Sequence, residues 1–181
     1  MPASPLPLLT PRLLLRALTQ DDLEDLCRVW MDPRVMEWIG EHTREDVAQE
    51  LGEQIESQAA HGFSWWAVEE RASGRFLGDC GLQLLEMRGP EVEVGYELLP
   101  EVWGRGLATE AVAATLGAAF GALALERVIA VVKPGNHASV RVLEKAGLRP
   151  AGARVAYGET MLLYEIERRQ PRGSTANAMT A

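Results

Sequence analysis

Cysteine is scarce in this chain: two in 181 residues, Cys27 and Cys80. Two isolated thiols make neither a disulfide framework nor a metal-ligand pattern, so a reducing cytoplasm is the expected setting. No run of eighteen apolar residues occurs, which excludes a membrane-spanning helix. The amino-terminal stretch lacks a basic lead-in, and Pro2, Pro5 and Pro7 interrupt its apolar residues, so no secretory signal is expected. Positive charge is in deficit, with 18 Lys plus Arg against 26 Asp plus Glu and a net charge of -8. That balance argues against nonspecific nucleic-acid binding by the surface as a whole. Repeats and a compositional break that would mark a second domain are also missing.

The charge that is present is unevenly placed. Residues 101–150 hold six Lys/Arg against four Asp/Glu, which leaves twelve against twenty-two for the remainder. This net-basic segment overlaps the most patterned stretch of the chain, residues 91–111. There Val92, Val94, Tyr96 and Leu98 alternate with Glu91, Glu93, Gly95 and Glu97, as in a half-buried strand. Pro100 ends the strand. Gly104 and Gly106 allow a tight turn, and Leu107, Ala108, Ala111, Val112, Thr115 and Leu116 then follow helical spacing. A helix that opens on glycines presents unpaired N–H groups and a partial positive charge, which suits a phosphate. Beside it, three carboxylates on one strand face suit a substrate that is cationic or must lose a proton.

The remaining elements follow from periodicity and punctuation. A loose leader at 1–9 precedes a strand at 12–17, and Thr19 opens a helix running to Met31. A connector at 34–42 carries Met36, Trp38 and Ile39. Thr43 and Asp46 form a capping box for a helix that stops at Gly62. Strands at 64–70, 75–85 and 91–99, a helix near 105–123, a strand at 127–132, a helix at 136–146 and strands at 149–155 and 159–167 complete an α/β (α+β) mixed sheet. That makes about seven strands and about four helices in a single domain, 10–167, before a polar tail, 168–181, expected to be disordered.

Two classes of site share the glycine turn. A dinucleotide fold needs an acid at the end of the next strand, but residues 127–132 run into Lys133. A P-loop needs Gly-Lys-Ser/Thr, which is absent. A third match is better. Trp103-Gly-Arg-Gly-Leu-Ala-Thr109 resembles the coenzyme A pyrophosphate loop of the GNAT (GCN5-related) acetyltransferases, with Gly106 and Ala108 at the two small positions. Trp103 stands where Arg or Gln is usual, which resembles the RimJ/RimL branch. Asn136-His-Ala-Ser139 followed by Glu144-Lys145-Ala-Gly147-Leu148 is similar to a second family block, and Thr10-Pro-Arg-Leu-Leu-Leu-Arg16 to a third.

The resemblance implies an acetyl-CoA-dependent N-acetyltransferase in the cytoplasm, needing no metal and no covalent intermediate. The acceptor is an amine, either a protein N-terminus or a small molecule. Neither nucleic acid nor membrane is a partner, and a homodimer stays open. An acyl-CoA sensor without catalysis is the rival reading. The strands at 91–99 and 127–132 should splay apart to admit the pantetheine arm. Leu98, Leu99, Trp103, Gly104, Arg105, Gly106, Leu107, Ala108, Thr109, Asn136 and Ser139 are the expected cofactor-binding residues.

Acetyl transfer needs a neutral amine and help at the departing thiolate. Glu93 is the first candidate base and Glu97 its rival. The family's thiolate-serving Tyr falls on Leu143 here and is missing, so Ser139 is the candidate in its place. Cys80 reads as a core residue rather than a nucleophile. His42 and His61 have no evident partners. Of the adjacent Trp65 and Trp66, one should pack in the core and the other line the acceptor groove.

Overall fold

A computed structural model describes residues 4–87 and 89–168. Eight strands form one sheet: β1 (Leu8–Leu9), β2 (Leu13–Ala17), β3 (Trp65–Glu70), β4 (Phe76–Leu84), β5 (Val92–Leu98), β6 (Arg127–Val132), β7 (Arg149–Ala156) and β8 (Glu159–Glu167). Their spatial order is β1-β2-β3-β4-β5-β6-β8-β7. Five α-helices accompany it: α1 (Leu23–Trp30), α2 (Pro33–Met36), α3 (Arg44–His61), α4 (Leu107–Phe120) and α5 (His137–Ala146). None of the described helices is long and apolar enough to cross a membrane.

The mixed α/β class holds, with one strand and one helix more than the periodicity predicts. Leu8 and Leu9, placed in a loose leader, pair with Leu15 and Leu14. Two residues are too few to show an alternation. The connector after Trp30 contains α2, whose Asp32 cap accepts from the Arg34 N–H at 2.9 Å and is followed by Pro33 at the first helical position. The capping box of α3 forms as expected, and Gly62 closes that helix at φ 79°. The tail expected to be disordered lies, from residue 169 onward, outside the described residues.

The helices divide between the two sheet faces, and neighbouring residues of β4 show how. Asp79 accepts from Trp30 Nε1 of α1 at 2.8 Å, whereas Cys80 Sγ lies 3.4 Å from Thr115 Oγ1 of α4. Successive strand residues point to opposite faces, so α1 and α4 sandwich the sheet, and α5 packs beside α4. Leu82, Val94, Val112, Leu116, Val128 and Leu143 belong to the buried core.

Sheet pairing is tight on one side of β5 and nearly absent on the other. β4 and β5 match through seven register pairs from Gly78↔Leu98 to Leu84↔Val92. β5 and β6 run parallel and match only at Glu93↔Ile129. Beyond that point the strands diverge, as the resemblance implies, and the gap opens between residues 95–98 and 130–132.

Candidate active site

A cavity of about 930 Å³ occupies this gap and reaches both sheet faces. That is the size of a small-molecule cleft. At one end lies the start of α4. Gly104 and Gly106 stand at φ 74° and 76°, the left-handed region that a glycine enters without strain. The first intrahelical bond runs from the Glu110 N–H to the Gly106 carbonyl, 3.1 Å. The N–H groups of Leu107, Ala108 and Thr109 therefore precede the ladder and face the opening. A Cβ built on Gly104 would meet nothing within 4 Å. Open space over free N–H groups fits a pyrophosphate, and Lys133, Arg141 and Lys145 line the same cavity.

This turn is clamped from the segment between β1 and β2, a link that spacing along the chain does not reveal. Glu110 accepts from Thr10 Oγ1 at 2.6 Å, from the Arg12 N–H at 2.9 Å and from Arg12 Nε at 2.6 Å. Arg12 Nη1 donates to the Arg105 carbonyl at 2.9 Å. The Thr10-Pro-Arg12 block thus braces the loop and the helix start at once. Arg105 itself turns outward, its guanidinium 3.4 Å from Glu70. Trp103 is half exposed and donates its indole N–H to the Leu98 carbonyl at 2.6 Å.

Of the expected cofactor-binding residues, Leu98, Trp103, Gly104, Gly106, Leu107, Ala108, Thr109, Asn136 and Ser139 line the cavity. The other two do not line it. Leu99 is buried in the core, and its N–H is bound to the Leu77 carbonyl at 2.8 Å. The Arg105 side chain is directed at Glu70.

Where the strands part, α5 meets β5. Asn136 caps α5 by accepting from the Ser139 N–H at 3.0 Å, so the Ser139 hydroxyl is not needed as a cap. It lies 2.7 Å from the Tyr96 hydroxyl, which also donates to the Ser139 carbonyl at 3.1 Å. Burial pushes the Tyr96 phenol up, so it stays a donor at neutral pH. Sequence spacing assigned Ser139 alone; its partner comes from a strand that the family motif does not include.

The acidic face of β5 is not uniform. Glu91 is neutralised by Arg154 and by Arg127, the latter at 2.8 Å, and these arginines hold its carboxyl below the usual range. Glu93 is 5% exposed. Its Oε1 accepts from Gln83 Nε2 at 2.6 Å and from the Tyr157 hydroxyl. Burial pushes the Glu93 carboxyl up, and these two donors pull back against it. Glu97 sits opposite Asp79 on β4. Burial, then the neighbouring Asp79 carboxyl, pushes Glu97 well up, and burial does the same to Asp79 against the hydrogen bonds it receives. Asp79 Oδ1 and Glu97 Oε2 are buried and find no donor among the described residues.

The aromatic expectation resolves cleanly. Trp66 is fully buried and donates to Gln58 at 2.8 Å, whereas Trp65 lines the cavity with its indole N–H on Gln83. The outer end of the Trp65 ring lies against Gly95: a Cβ there would sit 2.3 Å from it. His42 does have a partner, Glu50 Oε1 at 2.9 Å, contributed by α3. Cys80 is buried with its thiol pushed up by desolvation, which leaves it protonated and inert.

Residues 12–149 match the family described as the acetyltransferase (GNAT) domain. The chain is 32% identical over 148 residues to the uncharacterized N-acetyltransferase YoaA of Bacillus subtilis (strain 168), covering 79% of this chain and 82% of YoaA. Its fold is similar to that of a GNAT-family acetyltransferase from Bacillus anthracis, with a TM-score of 0.78, 25% identity, and coverage of 90% of this chain and 99% of that one. It also shares the fold of a ribosomal-protein-S5-alanine acetyltransferase from Vibrio fischeri, with a TM-score of 0.76, 21% identity, and coverage of 90% and 97%.

Proposed function

The chain belongs to the GNAT acetyltransferase family and is an acetyl-CoA-dependent N-acetyltransferase, and from this premise we propose that it acetylates a primary amine by direct attack, with Glu93 as the proton acceptor. The observation that carries the reading is the single-pair contact between β5 and β6. It opens one continuous cavity between the free N–H groups of α4 and the buried Glu93.

Acetyl-CoA supplies an activated thioester, so the protein has to orient it and manage two protons. The N–H groups of residues 107–109 hold the pyrophosphate, backed by Lys133, Arg141 and Lys145. Asn136 shapes the start of α5 beside the cofactor arm. Glu93, desolvated and held by Gln83 and Tyr157, takes the proton of the incoming ammonium group. Its raised pKa brings it closer to the working pH, where proton transfer is most effective. Ser139, whose hydroxyl lies beside that of Tyr96 at the parting of the strands, is the proposed donor to the departing sulfur.

Two acceptor classes are supported by different features. The Trp103-Gly-Arg-Gly106 run favours a RimJ/RimL-like role on protein N-terminal α-amines. The carboxyls of Glu93, Glu97, Glu50 and Glu53 along the cavity favour a small cationic amine. The two unpaired cysteines are consistent with the proposed cytoplasmic location. The test is a panel of amines and N-terminal peptides assayed by thiol detection of released CoA. Turnover on at least one member is expected; acetyl-CoA binding without turnover on any amine would overturn amine acetylation.

A further inference from the structure

On the sheet face turned toward α1, β5 presents acid, apolar surface, then acid. Glu93 and Glu97 are four residues apart on one face, about 13 Å along an extended strand. Between them stands Gly95, covered by the indole of Trp65, whose ring leaves no room for a Cβ. The far acid is a pair, because Glu97 is matched across the ladder by Asp79. Glu97 lines the cavity. Both members have a buried oxygen without a donor, Asp79 Oδ1 and Glu97 Oε2, and only Trp30 Nε1 serves the other Asp79 oxygen.

A shared proton lets the two carboxyls hydrogen-bond each other, but among the described residues no side-chain cation balances the charge they keep. Arg34, which lines the cavity, is held by Asp32 at 2.6 Å, and His42, also in the lining, is engaged by Glu50. Two carboxyls side by side in a dry site keep one proton between them, which leaves a single negative charge. A protonated nitrogen balances that charge. Trp30, Trp38 and Trp65 also line the cavity, and aromatic faces favour a cation or an alkyl chain.

Resting on the amine-acetylation reading, we propose that Asp79 and Glu97 form a cation subsite. It seats a second, non-reacting ammonium of the acceptor, while Glu93 faces the nitrogen to be acetylated. The acceptor class is then a di- or polyamine with an apolar spacer, the spacer lying along Trp65. The carboxyl pair binds and positions; it exchanges no bond with the substrate.

The probes are α,ω-diaminoalkanes of roughly four to ten carbons, chosen to bracket the strand spacing, each paired with its mono-N-acetyl derivative, which keeps the length and one amine but loses the second charge. Both are titrated calorimetrically into the CoA-loaded protein and assayed for turnover. The wild type should favour a diamine of one preferred length over its mono-acetyl control by roughly tenfold or more in kcat/KM and in affinity, as expected for a charged hydrogen bond. In Asp79→Asn/Glu97→Gln, which keeps shape and removes the charge, that ratio should fall toward one. Melting temperature and acetyl-CoA affinity report whether the variant is folded. Should it fail to fold, Glu97→Gln, which retains the Asp79–Trp30 bond, is read in the same way. A wild type that does not distinguish the two probes, or a variant that keeps the full preference, overturns the subsite. Absence of turnover on every amine, with the binding preference intact, would overturn the amine-acetylation reading and leave the subsite standing.

Discussion

The two halves of the cavity are built on opposite principles. The cofactor half is made of backbone: two glycines at positive φ, a helix start with free N–H groups, and a brace from Thr10 and Arg12 that fixes them. Its proposed binding groups are peptide dipoles, backed by the Lys133, Arg141 and Lys145 side chains that line the same cavity. The acceptor half is made of side chains drawn from α1, α3, β3, β4, β5 and the β7–β8 turn. There the groups are carboxyls, indoles and a phenol, and each depends on a partner from another element. A backbone site tolerates change in its side chains and fails when its torsions change. A side-chain site fails when one partner is removed, because a buried polar group is left unpaired.

This contrast can be tested by asking whether damage stays in its own half. The largest effect is expected from Glu93→Gln, which keeps the size of the base and cannot take a proton. It should lower kcat by about 10²–10⁴ with acetyl-CoA affinity nearly unchanged in calorimetry. A pH–rate profile refines the assignment. The base must be ionised to work, and burial raises its pKa, so activity should rise with pH along a limb lying above the ordinary carboxylate range. Tyr157→Phe removes a donor that favours the carboxylate, so it should move that limb to higher pH. A larger kcat loss in Glu97→Gln than in Glu93→Gln would transfer the base role to Glu97.

Next in size is Gly106→Val. A β-branched residue at φ 76° costs about 1–3 kcal/mol, and its side chain would crowd the phosphate approach. Acetyl-CoA should bind roughly ten- to a hundredfold more weakly, whereas Arg105→Ala, whose side chain leads away to Glu70, should do much less. Equal affinity for wild type and Gly106→Val would remove the pyrophosphate from this loop.

Gly95→Ala probes the other half by geometry alone. The added methyl would drive the Trp65 ring off the strand, at about 1–3 kcal/mol of overpacking. The acceptor KM should rise while acetyl-CoA affinity holds; a loss of both would show that the halves are not independent. The smallest effect is expected from Glu110→Ala, which cuts the brace. About 1–2 kcal/mol of stability should be lost after discounting for exposure, seen as a melting temperature lower by a few degrees, with a modest fall in acetyl-CoA affinity.

The same contrast explains what could be read in advance. Gly104, Gly106, Asn136 and Ser139 were visible because each lies within a short contiguous motif whose local geometry is its function. Trp65 could be told from Trp66 only as one of two alternatives, since alternation says that neighbours face apart and not which face holds the cavity. Asp79, Gln83, Tyr157 and Tyr96 carried no signal as site residues. Nothing in the chain places residue 79 opposite 97, or 157 beside 93, until strand register is fixed. The backbone bond of Leu99 to Leu77 and the ion pair of Arg105 with Glu70 likewise carry no signal in the sequence.

By itself, then, the sequence determined the mixed α/β class, the glycine turn at the start of α4, the capping of α3 and α5, and an acidic strand beside that turn. All of these rest on interactions within a few residues: alternation, helical spacing, glycine torsions and caps. Tertiary structure alone decided which carboxylates are neutralised by arginine, which is held by Gln83 and Tyr157, and which two are left facing each other in a buried pair. Those outcomes depend on cross-strand register and on burial. A carboxyl group's charge state follows from what surrounds it in space, and its neighbours in sequence do not specify that.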